Sequence, residues 1–224
     1  MHYDWILFDA DETLFSFDDF QGLKIMLSDY GVHFTRDDHV AYKKQNQPLW
    51  VKYQNGEITA QELQITRFLG WAEKLNVEPD ELNGAFLNAM ADVCKPLTDV
   101  DIVIPKLVER AKLGIVTNGF TQLQKIRLER TGMTPYFTHV FISEEIGVAK
   151  PDPRIFEYAL EKMGQPDKAS VLMVGDNPHS DVLGGMNAGV DTCWLNLKGE
   201  TLPEGIQPTF TASSWQALKS YLLD

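Results

Sequence analysis

The chain has 224 residues, of which 44% are hydrophobic and 23% are charged, an ordinary composition for a globular protein with room for a large core. Its net charge of -12 argues against nucleic-acid binding, which relies on Lys and Arg meeting phosphates. No apolar run is long enough to span a membrane and the N-terminus carries no secretion signal, so we expect a cytoplasmic protein without a membrane partner.

The first predicted element is a strand at residues 4–9. Its four consecutive apolar residues, Trp5 to Phe8, are typical of a strand buried on both faces. The strand leads directly into Asp9, Asp11 and Glu12, and like carboxylates at the end of a buried strand repel one another. This composition indicates a bound cation, and short oxygen-bearing side chains suit Mg²⁺. A solvated acidic turn is the alternative interpretation of Asp-x-Asp taken alone.

Residues 16–97 have the apolar spacing of helices. Thr35 is a predicted N-cap, Thr59 opens a capping box and a helix expected to run through Leu75, and Pro79 suits the first turn of a later helix. Because the segment is too long for a loop, we predict a helical domain inserted after the first strand.

From residue 98 onward, helices and short apolar strands alternate. Helices are expected near residues 101–111, 120–131, 153–163 and 179–188, strands at 113–117, 139–142, 171–175 and 192–195, and a last helix after Ser213 or Ser214. Such alternation is typical of an α/β fold with a doubly wound, parallel, Rossmann-like sheet in a three-layer α/β/α core. Residues 1–15 and 98–224 are predicted to form this core, and 16–97 the helical domain.

Polar side chains follow the carboxyl ends of the predicted strands, where ligands of open parallel sheets bind. They are Asp9 and Asp11 after the first strand, Thr117 and Asn118 at the second, Lys150 after the third, and Asp176 and Asp181 after the fourth. Taken singly, Thr117 is also typical of a helix cap, Lys150 of a solvated loop and Asp181 of a helix N-terminus.

Four motifs in order resemble those of the haloacid dehalogenase superfamily of phosphatases. They are Asp9-x-Asp11-x-Thr13, Thr117-Asn118-Gly119, Lys150 in Lys-Pro-Asp-Pro-x-Ile-Phe, and Gly175-Asp176-x-x-x-Ser180-Asp181. The resemblance covers the whole core, and the helical segment resembles the cap that this family inserts between its first two motifs.

The resemblance implies a chemical role for each motif. Asp9 is the nucleophile that forms an aspartyl-phosphate, and Asp11 is the general acid and then the general base. Asp9, Asp176 and the backbone carbonyl of Asp11 hold Mg²⁺, for which Mn²⁺ or another divalent cation substitutes. Behind them, Asp181 orders a bound water or Lys150. Thr117, Asn118 and Lys150 bind the phosphate.

The substrate is expected to be chosen by the cap, since the core motifs contact only phosphate. An aromatic pocket suits a planar base, and the candidate side chains are Phe15, Phe17, Phe20, Trp50 and Tyr53. Thr-Leu-Phe-Ser-Phe-Asp after the first motif, Gln-Pro-Leu-Trp-Val-Lys-Tyr-Gln-Asn-Gly in the cap and Thr-Asn-Gly-Phe-Thr-Gln-Leu-Gln-Lys-Ile-Arg-Leu resemble the bacterial pyrimidine 5′-nucleotidases. That resemblance implies hydrolysis of dUMP, UMP and dTMP. Separately, we expect a monomer or homodimer.

Three other functions use similar residues. A dehalogenase is disfavoured because it needs neither the leaving-group acid Asp11 nor a metal held by Asp176. A sugar-phosphate or phosphoglycolate-type phosphatase, or a phosphomutase, uses the same core and stays open. A phospho-accepting signalling domain collects similar groups, but it lacks a cap and does not place its acceptor on the first strand beside an Asp two residues later.

Overall fold

The computed structural model describes residues 3–223, which divide into two compact units. The sheet unit comprises residues 3–16, 95–119 and 131–223, and the helical unit comprises 17–94 and 120–130. None of the described helices is both long and apolar enough to cross a bilayer.

The described residues form strands and helices in the following places. The strands are β1 (Trp5–Phe8), β2 (Lys112–Thr117), β3 (His139–Ile142), β4 (Val171–Gly175), β5 (Asp191–Leu195) and β6 (Phe210–Ala212). The helices are α1 (Asp19–Asp29), α2 (Arg36–Gln54), α3 (Ala60–Thr66), α4 (Leu69–Leu75), α5 (Pro79–Val93), α6 (Val100–Leu107), α7 (Thr121–Arg130), α8 (Ser143–Ile146), α9 (Pro153–Lys162), α10 (Leu183–Ala188) and α11 (Trp215–Leu223). A π-helical turn, Pro178–Val182, precedes α10.

The sheet unit is built on a parallel sheet with the strand order β3-β2-β1-β4-β5-β6. β1 is central, because Leu7 pairs with Gly114 of β2 on one side and with Met173 of β4 on the other. All four residues of β1 are buried, as predicted for a strand covered on both faces.

Helices cover both faces of this sheet. Leu7 belongs to one apolar cluster with Ile155 and Phe156 of α9, and its neighbour Phe8 stacks on Trp215 of α11 with ring centroids 5.6 Å apart. Successive side chains of a strand point to opposite faces, so these contacts define two helical layers around the sheet. The predicted α/β class and doubly wound parallel sheet are confirmed.

The helical unit is organised around α5, which packs against α1, α3, α4 and α7. Its core is aromatic: the rings of Phe68 and Phe86 meet at 5.6 Å, and the buried guanidinium of Arg67 lies about 5 Å from each ring centroid. Arg67 also donates hydrogen bonds to the side chain of Asn83. A cation over aromatic faces retains favourable electrostatics after leaving water, which makes its burial tolerable.

Local signals in the sequence predict most helix starts correctly. Thr35 and Thr59 each form a capping box, and α5 begins at Pro79. At the last helix, the Ser214 hydroxyl accepts a hydrogen bond from the N–H of Ala217 at 3.1 Å.

The structure differs from the sequence prediction at several elements, including the three that follow. The helix expected from Thr59 through Leu75 is divided into α3 and α4 by a turn at Phe68 (φ -112°, ψ 0°), whose N–H donates to the carbonyl of Ile65, three residues back, instead of the residue four back. The helix expected near 179–188 begins as a π-helical turn. β6 was not predicted, since three residues are too few to show an alternating pattern.

Candidate active site

The carboxyl ends of β1, β2 and β4 bring the predicted acids and the threonine to one edge of the sheet. Asp9 follows β1 directly, and its N–H donates to the carbonyl of Val174 at 2.9 Å, so its backbone still belongs to the sheet. Asp176 follows β4, and its N–H donates to the hydroxyl of Thr13 at 3.0 Å. The carbonyl of Asp176 accepts from the indole N–H of Trp194 at 2.8 Å. Both backbones are therefore held independently of their carboxylates.

A tight turn follows β1 and carries Asp11. The N–H groups of Leu14 and Phe15 both donate to the carbonyl of Ala10, at 3.0 and 2.9 Å, which closes the turn. The charge of Asp11 contributes to raising the pKa of Asp9, as expected if the turn carries Asp11 close to Asp9. Phe15, a candidate for substrate contact, is fully buried within this turn.

Lys150 is the cation at the centre of the site. Its side chain is only 1% exposed, and its ammonium lies 2.6 Å from Asp9 Oδ1 and 2.7 Å from Asp181 Oδ1. It also donates to the carbonyl of Val116 at 2.6 Å. Burial alone would lower the pKa of Lys150, yet the charges of Asp181 and Asp9 raise it above its ordinary value. Lys150 is therefore charged at neutral pH.

The side chain of Asn118 holds the backbone of Lys150 rather than its ammonium. Asn118 Nδ2 donates to the Lys150 carbonyl at 2.9 Å, and Asn118 Oδ1 accepts from the Lys150 N–H at 2.7 Å. These paired bonds join the end of β2 to the loop after β3. Beside them, the buried Thr117 hydroxyl accepts from the N–H of Gly119 at 3.0 Å, so its own proton can be donated elsewhere.

Three carboxylates form a cluster that fits a divalent cation. Asp9, Asp176 and Asp181 each offer an oxygen within 4.8 Å of the others. Burial, followed by the charges of Asp181 and Asp9, raises the pKa of Asp176 to about 8. Burial and the neighbouring charges of Asp181 and Asp11, against the opposing effect of Lys150, raise the pKa of Asp9 to about 7. The positive charge that the protein supplies thus does not balance these carboxylates. Carboxylate oxygens are the donors that suit Mg²⁺.

Asp181 is fully buried, and its partners leave it less able to move than the other two acids. Its Oδ1 accepts from the Ser180 hydroxyl at 3.1 Å as well as contacting Lys150, and its Oδ2 accepts from the N–H of Asn177 at 3.0 Å. A Cβ at Gly175 would overlap the Asp181 carboxylate, so glycine at this position makes room for it.

The remaining candidates for substrate contact belong to the helical unit. Phe17 is exposed, while Phe20 is buried with the guanidinium of Arg36 3.6 Å from its ring centroid. Trp50 is half-buried, with its ring 5.9 Å from that of the buried Tyr53 and 5.2 Å from that of Phe120. Their contact with substrate stays a prediction.

A family model for haloacid dehalogenase-like hydrolases matches residues 3–189. The chain belongs to this family. As a haloacid dehalogenase-like hydrolase it is an enzyme, and the family resemblance inferred from the four motifs is confirmed.

Three relatives extend the comparison along the whole chain. It is 56% identical over 222 residues to the pyrimidine 5′-nucleotidase YjjG of Escherichia coli, covering 99% of each chain. It is 34% identical over 226 residues to the pyrimidine 5′-nucleotidase PynA of Streptococcus pneumoniae, covering 97% of this chain and 94% of the relative. Among solved structures, the putative hydrolase YfnB of Bacillus subtilis bound to magnesium superimposes with a TM-score of 0.85 at 29% identity, over 100% of both chains.

Sequence reasoning on this haloacid dehalogenase-like hydrolase overlooked several supporting residues. Thr13 stands in the first motif but was given no role, although its hydroxyl holds the backbone of Asp176. Asn177 and Trp194 were not singled out at all. The position of Asn177 directly before Pro178 and a helix was an available capping signal, whereas nothing local to Trp194 indicates that its indole reaches Asp176.

Proposed function

We propose that this hydrolase is a Mg²⁺-dependent phosphatase that releases phosphate from nucleoside 5′-monophosphates and prefers the pyrimidines dUMP, UMP and dTMP. The observation that carries the substrate class is the 56% identity over 222 residues to a pyrimidine 5′-nucleotidase. The chemistry is supported by the site itself, in which the buried Lys150 contacts Asp9 and Asp181, close to Asp176.

Asp9 is the proposed nucleophile. One of its carboxylate oxygens attacks the phosphorus of the substrate, and the bond from phosphorus to the 5′ oxygen breaks, leaving an aspartyl-phosphate. The backbone of Asp9 is fixed by the sheet, which suits an attack that must be in line. Lys150 lies 2.6 Å from Asp9, so its charge is placed to neutralise the transferring group as well as the nucleophile.

Asp11 is the proposed acid and base. It protonates the departing 5′ oxygen in the first half of the reaction. In the second half, it takes a proton from the water that attacks phosphorus, which frees Asp9 and inorganic phosphate. The closed turn around Ala10 limits the motion of Asp11, so the same carboxyl can serve both halves.

The proposed metal ligands are Asp9, Asp176 and the backbone carbonyl of Asp11. A bound divalent cation supplies positive charge that stabilises the transferring phosphoryl group. Asp181 is proposed to order Lys150 or a metal-bound water without being a direct metal ligand. Its oxygens already contact Lys150, the Ser180 hydroxyl and the N–H of Asn177. Thr117 donates its hydroxyl proton to a phosphate oxygen, and the backbone N–H of Asn118 is proposed to bind phosphate beside it, while the Asn118 side chain places Lys150.

The helical segment 16–97 is proposed to act as a cap that selects the nucleoside, while residues 1–15 and 98–224 carry the catalytic core. Aromatic side chains suit a planar base because stacking on one is worth about 1–3 kcal/mol. Of the candidates, Trp50 and Phe17 retain exposed surface and are the stronger ones.

A substrate panel tests the proposal. Purified protein is given dUMP, UMP, dTMP, AMP, phosphoglycolate and glyceraldehyde 3-phosphate, with Mg²⁺ or with EDTA, and released phosphate is measured. We expect many turnovers with Mg²⁺, the highest kcat/KM for the pyrimidine nucleotides, and none with EDTA. Preference for a three-carbon or two-carbon phosphate would replace the nucleotide assignment. A single stoichiometric phosphorylation would indicate a signalling domain instead.

A further inference from the structure

Lys198 lies beside the acid cluster without belonging to any of the four motifs. Its ammonium is 3.3 Å from Glu12 Oε2 and 4.0 Å from Asp176 Oδ2. A cavity of about 50 Å³ adjoins these three side chains, large enough for a water molecule. Lys198 therefore places a positive charge next to a carboxylate that is proposed to hold a divalent cation.

The loop that carries Lys198 is fixed by its own hydrogen bonds. Asn196 Oδ1 accepts from the N–H of Glu200 at 2.9 Å, and Asn196 Nδ2 donates to the carbonyl of Glu200 at 2.9 Å. The N–H of Asn196 also donates to the carbonyl of Ala212 in β6 at 2.8 Å. The backbone beneath Lys198 is thus closed on itself and tied to the sheet, which keeps the ammonium within reach of Asp176.

The simplest alternative is a surface ion pair of no consequence, since exposed pairs contribute little to stability. The side chain of Lys198 is 57% exposed, which agrees with a small effect on folding. Its effect on a bound cation is a separate matter, because the two positive charges would share the Asp176 carboxylate. Glu12 offers Lys198 a second carboxylate at 3.3 Å, so the ammonium can leave Asp176 and still be paired with a negative charge.

We propose that Lys198 is a positioning residue that acts as an internal counter-cation for Asp176. It compensates Asp176 in the metal-free protein, shifts toward Glu12 when a divalent cation binds, and so weakens cation affinity and favours exchange of the ion. This inference rests on the proposed divalent-cation site and adds a residue that weakens cation binding there.

Isothermal titration of Mg²⁺ and of Mn²⁺ into EDTA-treated and dialysed protein tests the inference without any substrate. Lys198→Met is expected to bind both ions about fivefold more tightly than the wild type, the size of a unit-charge interaction across 4 Å in a water-like dielectric. Lys198→Arg keeps the charge and should restore an affinity near that of the wild type. Lys106→Met, which removes an exposed lysine from α6, is the control for net charge and should change nothing.

Glu12→Gln is expected to change cation affinity in the opposite direction to Lys198→Met. Without the Glu12 charge, Asp176 is the remaining one of these two partners of Lys198. The ammonium then competes more strongly with the cation for Asp176, and we expect cation affinity to fall about threefold. In the Lys198→Met background, Glu12→Gln should lower the logarithm of the cation affinity by less than about half as much as in the wild type. The reason is that the lysine through which Glu12 acts on Asp176 is absent. Equal effects of Glu12→Gln in both backgrounds would contradict the coupling.

The outcomes separate this inference from the proposed function. Unchanged or weaker cation binding by Lys198→Met, beside a wild type that binds normally, overturns the role of Lys198 and leaves the phosphatase proposal standing. Absence of cation binding by every variant overturns the divalent-cation site and this inference together.

Discussion

Replacing Asp176 by Asn should stabilise the metal-free protein while removing its activity. The amide is nearly the same size as the carboxyl, and the backbone of residue 176 is held by Thr13 and Trp194 rather than by the side chain. Only the charge is lost. The Asp176 side chain is 23% exposed and faces two other acids of the cluster, so that charge is unfavourable when no cation is present.

The magnitude follows from the raised pKa of Asp176, from its ordinary value of 3.8 to about 8. At about 1.4 kcal/mol per pKa unit, the full shift corresponds to about 6 kcal/mol, and partial exposure to water reduces our expectation to about 2–3 kcal/mol. A carboxyl whose folded pKa is raised contributes stability below its unfolded pKa and loses it as the pH rises through the folded value. The wild type should therefore lose this contribution between about pH 4 and pH 8, and Asp176→Asn should not.

Thermal unfolding in EDTA at pH 5 and pH 8 measures this difference. At about 2–4 °C per kcal/mol for a protein of this size, Asp176→Asn should unfold about 5–10 °C above the wild type at pH 8, with a smaller gap at pH 5. Glu204→Gln removes an exposed carboxylate and is the matched control, with no expected change. With Mg²⁺, Asp176→Asn should lose more than about 100-fold in activity. An Asp176→Asn protein no more stable than the wild type at pH 8 would refute this reasoning.

Three further substitutions test individual contacts. Asp9→Asn should abolish turnover by more than about 10⁴-fold while circular dichroism shows the fold intact, and ordinary activity would remove the covalent mechanism. Asp11→Asn should slow both formation and hydrolysis of the phosphorylated enzyme by about 10²–10⁴-fold in rapid-quench experiments, and unchanged rates for both steps would count against its role. Gly175→Ala places a methyl group against Asp181 and should reduce unfolding free energy by about 1–3 kcal/mol, measured by urea denaturation; undiminished stability would show that Asp181 moves freely.

The sequence was sufficient to predict which strands carry the chemistry. A buried strand ending in acids, followed by further apolar strands each ending in a polar residue, implies one functional edge because parallel strands share a direction. The structure places Asp9, Asp176 and Asp181 together as that rule requires, with Lys150 between two of them. Here the pattern is local and strong, since each residue directly follows a strand or lies in the loop beyond it.

Other features depend on contacts between distant parts of the chain and have no local signal. Phosphate binding by Asn118 stays a prediction, while its side chain holds the backbone of Lys150, a contact that spans 32 residues and that no local pattern indicates. Lys198 reaches Asp176 only because β5 lies beside β4 in the sheet. The break at Phe68 likewise could not be read from an apolar period that continues through it.

Trapping the reaction intermediate tests most directly whether Asp9 takes the phosphoryl group. Protein turning over dUMP with Mg²⁺ is quenched with borohydride, which reduces an acyl phosphate to an alcohol, and its peptides are sequenced by mass spectrometry. We predict conversion of residue 9 to homoserine, dependent on both substrate and Mg²⁺, with Asp11, Asp176 and Asp181 unmodified. An unmodified Asp9 under conditions of full turnover, or a modification at another of these carboxylates, would contradict the proposed mechanism.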